Sequence, residues 1–140
     1  MRVKDLMTRA PITRDPETTV PEAHRVMMES RIRHLPIVVG DRLVGIVTDR
    51  DIRLNLPSPA TSLSVWELNY LLARLTVDQV MTRSLVTTWP EAELTVAARV
   101  MLDHKIGALP VIDGGRVVGI VTESDFVRAF ALGMRAVSAR

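Results

Sequence analysis

The 140-residue chain contains no cysteine, which excludes disulfides, thiol catalysis and zinc–thiolate sites but leaves the compartment open. Aromatic side chains are scarce, two Trp, one Tyr and two Phe, so little surface exists on which nucleic-acid bases could stack. An excess of one charge is missing too. The formal net charge is only +2, and the arginines are scattered rather than gathered into a basic stripe. Nowhere do about 18 apolar residues run uninterrupted, so no membrane span is expected. The start, Met1-Arg2-Val3-Lys4-Asp5, lacks the apolar core of a secretory signal. There is no P-loop, Gly-x-Gly-x-x-Gly or Gly-x-Ser-x-Gly, and His24, His34 and His104 form no metal-ligand spacing. With 47% apolar and 24% charged residues, these absences predict a soluble, cytoplasmic protein that is not an enzyme, built as one ordinary domain or two very small ones.

What the chain does contain is itself, twice. Residues 3–52 align without a gap on residues 77–126, at a constant offset of 74. Met7-Thr8-Arg9 returns as Met81-Thr82-Arg83, Pro16-Glu17 as Pro90-Glu91, Arg25-Val26-Met27 as Arg99-Val100-Met101, and Leu35-Pro36 as Leu109-Pro110. A repeat of about 50 residues buries too little apolar surface to be comfortable alone, so the two copies are expected to share a core. The division expected is a first repeat over residues 1–55, a linker with a short helix over 56–76, and a second repeat over 77–140.

Each copy reads β-α-β-β-α, an α/β architecture. A short extended piece is expected at Ile12-Thr13. Thr19-Val20-Pro21-Glu22 then opens a helix with a capping box and an early proline. Val20, Ala23, Val26 and Met27 share one face of it, as do Leu94, Ala97, Val100 and Met101 in the second copy. Leu35 to Val39 forms a strand, Gly40-Asp41 (Gly114-Gly115 in copy two) the hairpin turn, and Leu43 to Val47 the returning strand. Between the copies, Leu56 to Thr61 reads as a linker, and Ser64-Val65-Trp66-Glu67 starts a helix striped by Val65, Leu68, Leu71, Leu72 and Leu75. Trp66 and Tyr70 are expected to cover the core, with a partner surface as the alternative.

The most informative stretch is Gly45-Ile46-Val47-Thr48-Asp49-Arg50-Asp51, repeated as Gly119-Ile120-Val121-Thr122-Glu123-Ser124-Asp125. A β-branched strand breaks at Thr-x-x-Asp, the signature of a helix start. Two readings are open. The threonine and aspartate satisfy backbone donors as a capping box, or they sit at a strand-to-helix junction that receives a phosphate-bearing ligand.

The order and spacing of these pieces, from the Met-Thr start through the Leu-Pro strand to the Gly-Ile-Val-Thr-x-x-Asp ending, resemble the cystathionine-β-synthase (CBS) domain pair, or Bateman module, over nearly the whole chain. Ile32-Arg33-His34-Leu35-Pro36 and Thr48-Asp49-Arg50-Asp51-Ile52-Arg53 resemble the acetoin-utilisation type of stand-alone CBS protein. Some of that group carry a further C-terminal regulatory domain, which is not expected in 140 residues.

The resemblance implies two CBS repeats packed with pseudo-two-fold symmetry. It implies a regulatory module binding AMP, ADP, ATP or a related adenosyl ligand (S-adenosylmethionine, NAD) in clefts between the copies, with no cofactor required. Asp51 and Asp125 would hold ribose hydroxyls, Thr48 and Thr122 would lie beside ribose and phosphates, and Ile46 and Ile120 would flank the adenine. Val86-Thr87 would face the Asp51 site, and Ile12-Thr13 the Asp125 site. Arg33-His34 would favour charged nucleotides at the first site, where the second has Gly107-Ala108. A homodimer is implied, through the repeat helices or the motif helices, with an unidentified target protein as a further partner. The alternatives are a nucleic-acid-binding module and a structural dimerisation unit with degenerate pockets.

Overall fold

A computed structural model describes residues 1–57 and 62–133. Ser58 to Thr61 of the expected linker and residues 134–140 of the second repeat lie outside them. The elements run α1 (Val3–Leu6), β1 (Thr8–Arg9), α2 (Val20–Glu29), β2 (His34–Val39), β3 (Arg42–Thr48), α3 (Asp49–Asn55), α4 (Val65–Leu72), a 3-10 turn (Val77–Gln79), α5 (Leu94–His104), β4 (Ala108–Asp113), β5 (Arg116–Thr122) and α6 (Glu123–Ala131). The α/β reading holds. The hairpin in each copy closes through Val39 opposite Arg42 and Asp113 opposite Arg116. Gly114 and Gly115 both take positive φ, 58° and 80°, as a type I′ turn requires, whereas in the first hairpin Gly40 takes it, at 63°, and Asp41 does not.

The chain folds as two compact units, and their membership is not that of the sequence repeats. One unit holds Met1–Pro11 with Val86–Arg140, the other Ile12–Leu85. Each repeat therefore lends its opening segment to the unit built on the other. In one unit Val3 N donates to Ala92 O at 2.8 Å and Lys4 N to Pro90 O at 2.9 Å. In the other, Val77 N donates to Thr18 O at 2.8 Å and Asp78 N to Pro16 O at 3.3 Å. These are the same bonds 74 residues apart, with the copies exchanged. Thr8 likewise pairs antiparallel with Ile120, and Thr82 with Ile46.

The shared core expected from the sequence takes the form of two separate cores, each completed by the exchange. Val20, Ala23, Met27, Leu35, Ile37, Val47 and Ile52 close over Val77 and Met81. Ala92, Ala97, Met101, Leu109, Val111 and Val121 close over Val3. Burying these aliphatic side chains is the main stabilising term in each unit, at roughly 1.5–3 kcal/mol per large side chain.

Two expectations need correction. No strand forms at Ile12-Thr13. The short strand lies earlier, at Thr8–Arg9, and beyond Ile12-Thr13 only Arg14 bridges to Ile37, in parallel sense. The backbone there is tied on alternate sides of one residue, Arg14 N to Pro36 O and Val38 N to Arg14 O, too little to propagate a ladder. Second, Trp66 and Tyr70 do not cover the core. They are 84% and 59% exposed, and α4 has no buried residue. Its capping box forms as read, Ser64 with Glu67, but of the expected stripe it is Leu75, beyond the helix, that packs on a core.

Candidate functional site

In the unit built on the first repeat, the hairpin register sets His34 opposite Thr48. The residue before His34, Arg33, is exposed, and its carbonyl accepts from Asp49 N at 3.0 Å, pinning the first residue of α3 to the foot of β2. Arg33, His34, Thr48 and Asp51 thus come together at one corner, where β3 ends and α3 begins. Asp51 is half-buried. Its Oδ2 accepts from Thr48 N at 2.9 Å, and Asp51 N donates to the Thr48 hydroxyl at 3.1 Å. The capping box is therefore real. It uses one carboxylate oxygen, and among the described residues Oδ1 has no hydrogen-bond partner.

The second unit repeats the corner with different chemistry. Ala108 stands opposite Thr122, and Gly107 O accepts from Glu123 N at 3.0 Å, so the backbone is reproduced without the basic side chains. Asp125 is buried, 7% exposed, and Oδ2 accepts from Thr122 N at 2.8 Å and from the Thr122 hydroxyl at 3.2 Å. Its Oδ1 accepts from Arg128 Nη1 at 3.1 Å. Arg128 was not picked out by the sequence reading. Its position three residues after Asp125, one helical turn on, is the signal that could have found it.

The remaining candidates are placed as follows. Ile46 is half-buried and bridges Thr82, whereas Ile120 is buried. Ile12, 38% exposed, and half-buried Thr13 belong to the unit that contains Asp51. Val86, packed against its own unit's core, and exposed Thr87 belong to the unit that contains Asp125. Among the described residues, no group of three His, Cys, Asp or Glu could hold a metal ion, and no helix is long and apolar enough to cross a membrane.

The CBS-domain profile matches twice, at residues 3–58 and 77–132. The CBS domain-containing protein YhcV of Bacillus subtilis is 32% identical over 123 residues, covering 88% of this chain and 81% of its own length. Among solved structures, the CBS domain pair of protein MJ0100, in complex with 5′-methylthioadenosine and S-adenosyl-L-methionine, superposes with a TM-score of 0.77 at 32% identity, covering 94% of this chain and 96% of that one. The Vibrio cholerae protein AcuB gives a TM-score of 0.79 at 34% identity, covering 99% and 96%. The chain spans about half or less of several other curated relatives, and those with enzyme names match over only 23% or 24% of their length.

Proposed function

The chain belongs to the CBS-domain family, and we propose that it is a regulatory module sensing adenosine nucleotides (AMP, ADP or ATP) or a related adenosyl compound such as S-adenosylmethionine or NAD. The observation that carries this reading is the corner of Arg33, His34, Thr48 and Asp51, where a half-buried carboxylate keeps one oxygen without a protein partner among the described residues. A carboxylate accepts hydrogen bonds from the adjacent hydroxyls of a ribose, and neighbouring basic side chains suit the phosphates. The ligands of the MJ0100 pair support the adenosyl class. The first motif, flanked by Arg33 and His34, favours charged nucleotides; the second, flanked by Gly107 and Ala108, favours a less charged ligand.

The ligand acts as a signal rather than a cofactor, the chain catalyses nothing itself, and its output is read by a target protein in the cytoplasm. The module works as a homodimer. Ala23, Met27, Ala97 and Met101 are committed to their own cores, so the dimer uses outward faces such as those of the motif helices, where Leu54 and Val127 are 71% and 69% exposed. A monomer by light scattering at micromolar concentration would remove the dimer from this proposal.

The test is a thermal-shift and calorimetric comparison of AMP, ADP, ATP, S-adenosylmethionine and NAD. A ligand that binds only the folded state adds about 2.7 kcal/mol of stability at 100 times its dissociation constant. If none of the five stabilises the protein, the motifs are helix caps and the module is structural.

A further inference from the structure

Asp51 and Asp125 occupy corresponding places, yet their carboxylates are engaged differently. Asp125 has both oxygens committed, Oδ2 to Thr122 and Oδ1 to the guanidinium of Arg128 at 3.1 Å. The position 74 residues before Arg128 is Leu54, an exposed side chain with no donor to offer. Asp51 Oδ1 correspondingly has no partner among the described residues. A vicinal diol is recognised by a carboxylate oxygen that is open to it, and in the second motif that oxygen is held by the chain's own cation. The Arg128 side chain is 64% exposed while that of Asp125 is 10% exposed. The guanidinium thus stands on the solvent side and closes over the acid.

We propose that Arg128 is a built-in latch on the second motif. It competes with the diol of an adenosyl ligand for Asp125 Oδ1, so the second motif binds such a ligand less tightly than it would without the arginine. This inference rests on reading the motifs as diol-binding sites. The latch is a light one, because a guanidinium so exposed moves into water at little cost. The penalty it places on ligand affinity is about two- to five-fold.

The probe is 5′-methylthioadenosine, which carries the diol and no phosphate to pair with a displaced guanidinium. Calorimetric titration compares Asp51→Ala with Asp51→Ala/Arg128→Leu, in which only the second motif is intact. Release of the latch is expected to tighten binding about two- to five-fold. An affinity that does not rise overturns the latch. Should the double variant fail to fold, Asp125→Ala is compared with Asp125→Ala/Leu54→Arg. There the transplanted arginine is expected to weaken the first motif by the same factor, and an unchanged affinity overturns the proposal. If the parent protein also binds none of the adenosyl compounds, the reading of the motifs as ligand sites falls with it. Binding by the parent with no effect of Arg128 removes the latch alone.

Discussion

The thioether of Met81 fills the space that a side chain on Gly45 would need, and the thioether of Met7 does the same over Gly119. The glycine in each Gly-Ile-Val-Thr stretch is thus where the exchanged opening segment lies down on the returning strand. The two contacts differ in what could yield. At Gly45 the obstacles are the Sδ, Cγ and Cε atoms of a flexible methionine; at Gly119 a Cβ would also meet the backbone oxygen of Thr8 at 2.9 Å.

Gly45→Ala and Gly119→Ala should therefore both destabilise, within the roughly 1–3 kcal/mol typical of overpacking, and Gly119→Ala should be the worse. The denaturant midpoints of the two variants check the order. Equal midpoints would mean that the strand, rather than the methionine, moves aside.

The exchange also predicts where damage appears. Val3 belongs to the first repeat by sequence, yet it is fully buried in the core built on the second. Val3→Ala should cost about 2 kcal/mol for two lost methyl groups and the space they leave. Amide hydrogen exchange should show protection falling over residues 86–133 and not over 12–57. Val77→Ala should give the opposite pattern.

Asp51 separates a ligand site from a helix cap. If its Oδ1 holds a ribose, Asp51→Ala removes charge-assisted hydrogen bonds worth about 1.5–3 kcal/mol, a loss of roughly ten- to a hundred-fold in nucleotide affinity. The lost cap alone costs about 1 kcal/mol of folding stability and leaves affinity nearly untouched. Calorimetry reads the first and a denaturation curve the second. A destabilised variant that binds as tightly as the parent decides for the cap.

Arg33 is exposed at the same corner, so its contribution should depend on ligand charge and on salt. Arg33→Ala should weaken ATP by about three- to ten-fold at low salt, with the difference shrinking as ionic strength rises. Adenosine should bind the variant as it binds the parent. An equal loss for both ligands would place Arg33 in the fold rather than at the phosphates.

Much of this protein was determined locally, and so could be read from residues alone. Ser64 and Thr48 form capping boxes where the spacing of hydroxyl and acid placed them, whereas the box expected at Thr19 forms by half: Thr19 accepts from Glu22 N, and the Glu22 carboxylate turns to Arg25. The hairpins turn where the glycines stand, and Leu35 to Val38 and Ala108 to Val111 are buried as the continuous apolar runs the sequence shows. Caps, turns and apolar runs depend on neighbours within a few residues, which the linear order states directly.

The tertiary structure decided three other matters. It sent residues 3–11 and 77–85 each to the other repeat's unit. The sequence could not choose, because the docking positions are near-copies: Pro16 and Pro90, or Thr18 and Ala92, accept through backbone carbonyls that any residue supplies. It left Trp66 and Tyr70 in solvent, since an apolar side chain is buried only if another element arrives to cover it. And it engaged the second oxygen of Asp125 with Arg128, while that of Asp51 has no partner among the described residues. Two motifs with the same Thr-x-x-Asp spacing thus differ through a residue one turn further on, because a carboxylate oxygen that already accepts from the chain's own cation has less acceptor capacity left for a ligand.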